Sequence, residues 1–79
     1  MKIEILDHAW ERMELYDVSE AMVKETLKKP DSIVESYADR KIAQKKLNGY
    51  VLRVIFEEKN SIRIVITVYK AKSGRYEVS

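Results

Sequence analysis

The chain's single histidine, His8, stands four residues before Arg12 in the stretch HAWERM. At that spacing both side chains rise from one face of a helix. A histidine in a first helical turn sits where the dipole disfavours added positive charge, which suits it to accept a proton, and an arginine one turn on could hold an anion. The same pair could equally close one side of a small core beside Trp10. A second set, Arg53, Arg63, Thr67 and Tyr69, comes from two apolar stretches of the C-terminal half. Guanidinium groups on a sheet face suit bidentate recognition of phosphate, and a tyrosine nearby can stack a base or position a scissile group. The competing account pairs Arg53 with a carboxylate such as Glu57 and leaves Tyr69 to pack. Arg40, Lys41, Lys45 and Lys46 form a third set, a cationic arm that either contacts phosphates or guards an edge strand against aggregation.

Other chemistry is disfavoured by what the chain lacks. It has no cysteine, no glycine-rich phosphate loop, no nucleophilic serine motif and no histidine–carboxylate cluster at metal-ligand spacing. No cofactor and no metal are expected. A histidine, tyrosines and cations nevertheless suffice for metal-independent RNA cleavage, in which a base deprotonates the ribose 2′-hydroxyl, cations stabilise the dianionic transition state and an acid protonates the leaving oxygen.

The elements that must position these residues follow from periodicity. Residues 2–6 alternate polar and apolar, which predicts a short strand, and Asp7 then stands where a helix N-cap belongs. A first helix is expected over 8–15, with Ala9, Trp10 and Met13 facing the core. Val18 and Ser19 read as N′ residue and N-cap of a second helix, with Val18 stapled onto Val23 and Pro30 ending it after Lys29. From Ser32 the period becomes two. Strands are expected over 33–37, 41–47, 50–57 and 62–70, with Asn48-Gly49 as a hairpin turn. If both apolar faces of the last hairpin are buried together, a three-residue loop over 59–61 is required. That loop sets Arg53 opposite Thr67 and puts Arg63, Val65, Thr67 and Tyr69 on the face shared with Arg53.

At 79 residues, with 46% hydrophobic and 35% charged content, the chain suffices for one domain. So small a core leads one to expect dimerisation or a bound partner. No apolar run resembles a signal sequence or a membrane span, which predicts a cytoplasmic protein. Residues 1–35 carry five basic and nine acidic side chains, a balance of −4, whereas residues 36–79 carry ten and four, a balance of +6. A polyanion such as RNA, or an acidic protein segment, suits the second part. Residues 73–79 read as a loose tail.

The order of strand, two helices and antiparallel sheet resembles the RelE-type toxins, within the small ribonuclease folds that include barnase-like and colicin-like enzymes. More closely, HAWERM, VSEAMVKETLKKPD, LRVIFEE and IVITVYKA resemble a family of short RelE-like domains with a His-x3-Arg helix. The resemblance spans nearly the whole chain. It implies an α+β fold, two helices packed on a mostly antiparallel sheet of four or five strands, and a toxin-like messenger-RNA endonuclease, free or ribosome-associated, partnered by a small antitoxin. Matched by position, it implies catalytic roles for Arg53, Arg63 and Tyr69 and substrate contacts from Lys41 or Lys45, while His8 and Arg12 match the motif of the closer family; the residues themselves offer His8 and Arg12 as candidate catalytic groups and Arg40, Arg63 and Thr67 as candidate substrate contacts. A non-catalytic module binding RNA or an acidic protein, and a structural homodimer, are the rival expectations.

Overall fold

The structure of the protein is a computed structural model that describes residues 2–72; residues 73–79, read above as a loose tail, lie outside the described residues. The order is β1 (Lys2–Ile5), α1 (Asp7–Tyr16), α2 (Glu20–Lys28), β2 (Ser32–Glu35), β3 (Lys41–Leu47), β4 (Tyr50–Lys59) and β5 (Ile62–Lys72). The strands form one sheet in the order β1-β5-β4-β3-β2. Only the β1–β5 pair is parallel. The fold is α+β, with the N-terminal strand followed by two helices that pack on one face of the sheet. No described helix is long and apolar enough to cross a membrane.

Both helices begin and end for local reasons. Leu6, not Asp7, is the N-cap of α1, and Asp7 is its first helical residue. Its carboxylate then sits in the first turn, where the dipole favours negative charge. Asp17 ends the helix in a left-handed conformation with φ 57°. In α2, Ser19 accepts from the backbone N–H of Met22 at 3.2 Å. Val18 and Val23 are both buried on the core side, as a hydrophobic staple requires. Replacing Ser19 by alanine should therefore cost about 1 kcal/mol, read as a lower urea midpoint with an unchanged m-value.

The core lies between the helices and the sheet. Ala9, Met13, Val23 and Leu27 from the helices meet Ala43, Leu52, Val54, Phe56, Val65 and Val68. Trp10 does not join them: it is 43% exposed, because it falls on the flank of α1 beyond the stripe of Ala9 and Met13. The first of the expected hairpins is present, with Leu47 opposite Tyr50 and Gly49 at φ 83°. β3 lies between β2 and β4, so its lysines guard no sheet edge. β2 is displaced and shorter than expected, since Ala38 and Asp39 both adopt left-handed backbone and pull Tyr37 into the turn that precedes β3.

The last hairpin departs from the expected register. Its loop has two residues, Asn60 and Ser61, both at positive φ (51° and 65°), and Lys59 pairs with Ile62. An even loop would bury the wrong face of one strand, and a β-bulge repairs this. Phe56 pairs with Val65 and Ile55 with Thr67, which leaves Ile66 without an opposite residue. Val65 and Val68 can then both be buried against the helices. The expected burial of a continuous Ile62, Ile64, Ile66 and Val68 stripe is corrected accordingly: those three isoleucines are half-buried, and Val65 is fully buried.

Candidate functional site

The bulge divides β5 into two halves that present opposite faces. Beyond it, Thr67 and Tyr69 point away from the helices, on the face of Arg53. Before it, Arg63 and Val65 point toward them. Arg53 stands opposite Tyr69, not Thr67. Its Nη1 donates a hydrogen bond to the Tyr69 hydroxyl, and its guanidinium carbon lies 5.2 Å from the centre of the Tyr69 ring.

This pair belongs to a polar row that crosses four strands. Ser32 is paired with Gln44, Gln44 with Arg53, and Arg53 with Tyr69. The Gln44 amide donates to the Ser32 hydroxyl at 3.2 Å. Gln44 is only 4% exposed. Gln44 and Arg53 are thus each held by a neighbour within the row, as polar side chains in mid-sheet require. Ser32 and Gln44 were not singled out from the sequence. Gln44 interrupts an apolar alternation, but only the register reveals that it neighbours Arg53.

The His8–Arg12 stripe reaches this row from the side. β1 pairs only with residues 62–65 of β5, and the Leu6 N–H donates to the Val65 carbonyl at 3.2 Å. The chain therefore turns into α1 where the parallel pairing stops, and α1 packs along the rest of β5. His8, Arg12 and Tyr16 recur every four residues on its near side. Together with Thr67, Val68 and Tyr69 they line a shallow depression of about 280 Å³. Four of the residues expected to do chemistry, His8, Arg12, Thr67 and Tyr69, thus share one cleft, and Arg53 adjoins it through Tyr69.

The remaining expected contacts are elsewhere. Arg63 lies on the helix-covered side, where its Nη1 donates to the Leu27 carbonyl at 2.7 Å. Its guanidinium stacks over Phe56 with the carbon 5.1 Å from the ring centre. Lys45 donates to the Lys29 carbonyl at 3.0 Å. Both cations thus hold the C-terminal carbonyls of α2, the negative end of its dipole, which is a structural task. Lys41 projects to the helix side with Ala43 and Lys45. Arg40 pairs with Glu57, Nε to Oε1 at 3.3 Å, and Glu57 lies four residues along β4 from Arg53. The carboxylate suggested for Arg53 therefore belongs to Arg40.

Comparison with known families matches residues 5–70 to a domain of unknown function (DUF4258). No curated protein and no solved structure matches the chain significantly.

Proposed function

The chain belongs to the DUF4258 domain family, and we propose that its members of this form are toxin-like, metal-independent RNA endonucleases. The observation that carries this reading is the shared cleft: the imidazole of His8, the guanidinium of Arg12 and the phenol of Tyr69 line it, and Arg53 adjoins it through its hydrogen bond to Tyr69. That set matches the needs of transesterification at a ribose. His8 takes the proton of the 2′-hydroxyl, whose oxygen attacks the adjacent phosphorus. Arg12 and Arg53 stabilise the charge that develops on the phosphoryl oxygens. As the bond from phosphorus to the 5′-oxygen breaks, the Tyr69 hydroxyl gives that oxygen a proton. The Tyr69 oxygen accepts from Arg53, and the guanidinium steadies the charge left behind once the phenol proton is given up. The products are a 2′,3′-cyclic phosphate and a 5′-hydroxyl, with the proton on His8 returned to Tyr69 through solvent.

The basic balance of residues 36–79 supports RNA as the polyanion. A small antitoxin that blocks the cleft would restrain such an activity in the cell. The test uses the purified protein, a mixed-sequence RNA oligonucleotide and excess chelator. Cleavage that leaves 2′,3′-cyclic ends, and that a single 2′-deoxy substitution abolishes at its site, is the expected result. Salt-sensitive binding with no cleavage would replace the enzyme by an RNA-binding module, and neither binding nor cleavage would leave the fold's cations without a nucleic-acid role.

A further inference from the structure

The other flank of α1 carries a different surface, and its argument does not depend on the reading of the cleft. Trp10 is 43% and Leu15 67% exposed, although both are large apolar residues on a helix whose core stripe is already satisfied by Ala9 and Met13. Trp10 borders a groove of about 360 Å³ between α1 and the start of α2, floored by Met13 and Val18 and rimmed by Glu11, Glu14 and Glu20. Glu11 and Glu14 also line a second, adjoining depression of about 550 Å³ with Leu15. The two depressions thus share their acidic rim and run on from one another along the helix. Glu20 is held by Lys24 at 2.9 Å. Glu11 and Glu14 form no ion pair among the described residues.

We propose that this flank, Trp10, Glu11, Glu14 and Leu15 over the floor of Met13 and Val18, is a docking surface for a basic amphipathic segment of a partner protein. Three features select that occupant. Trp10 and Leu15 are exposed apolar side chains at two depressions joined through Glu11 and Glu14, so the apolar surface is part of one larger patch rather than a lone side chain. Two unpaired carboxylates beside an indole offer a lysine or arginine both an ion pair and a cation–π face. Among the described residues no cationic side chain lines either depression, and the acidic balance of residues 1–35 repels a second acidic partner and attracts a basic one. A groove bordered by two helices suits a helical segment whose apolar residues recur every three or four positions.

Trp10 is the only tryptophan of the chain, so its emission reports directly on this surface. The probe is a synthetic helical peptide of lysine and leucine in amphipathic order, with a glutamate–leucine peptide of the same pattern as control. The expected result is a saturable blue shift of Trp10 emission with the basic peptide only. The Glu11→Gln/Glu14→Gln double variant should bind about tenfold more weakly, and circular dichroism should show it folded because both positions are exposed. An unchanged Trp10 spectrum overturns the proposal, as does equal binding of the acidic peptide or of the double variant. A blue shift on concentrating the protein alone would assign the surface to a second copy of the chain and also overturn it.

Discussion

Phe56→Ala is expected to remove about 3–5 kcal/mol of stability, a large part of the margin of a domain of this size, which is on the order of 4–12 kcal/mol. Phe56 is completely buried. It stands at the bulge, pairs with both Lys41 and Val65, and lies beneath the Arg63 guanidinium that holds the end of α2. Truncation opens a cavity at the centre of the core and also takes away the platform that keeps Arg63 on the Leu27 carbonyl. Calorimetry should show the melting temperature fall by at least about 12 °C. A loss below about 1 kcal/mol would mean that the two layers meet differently around β4.

Arg53→Met should reduce RNA cleavage by about 10²- to 10³-fold while leaving the fold in place, the effect of removing one donor aimed at developing charge. Methionine keeps the unbranched stem and its packing, so the variant isolates the guanidinium. Tyr69 loses its hydrogen-bond donor at the same time, so transition-state charge and leaving-group protonation are weakened together. Tyr69→Phe should for that reason add little when combined with Arg53→Met, although each alone is severe; double-variant rates decide this. Full activity in Arg53→Met would exclude the sheet face as the seat of the chemistry.

Element order, the face of α1 that carries His8 and Arg12, the Ser19 cap and the Asn48-Gly49 turn were all legible in the sequence, because each depends on residues within a few positions of one another. The parts that failed depend on long-range register. An odd loop was inferred from the wish to bury two unbroken apolar faces; the chain instead uses the Asn60-Ser61 turn and a bulge at Ile66, a combination that alternation alone cannot distinguish. That one difference moved Arg63 to the helix side and set Tyr69, not Thr67, opposite Arg53. Trp10 was placed in the core because large aromatics usually are buried, yet helical geometry leaves it on a flank. Ser32 and Gln44 were missed because a polar row exists only across strands.

The parallel pairing of β1 with β5 joins Lys2 to Ile62, sixty residues away along the chain. The hairpins of β3, β4 and β5 close loops of only two residues, a small entropic cost, whereas the first strand has no partner until residues 62–65 are available. α1 is carried into place by β1 and the Leu6 link to Val65. The meeting of His8 and Arg12 with Tyr69 therefore depends on the pairing of the sheet that joins the most distant stretches of sequence. A chain that has emerged only as far as β4 would already carry His8, Arg12 and Arg53 and yet have no cleft, because its other wall is residues 67–69 of β5.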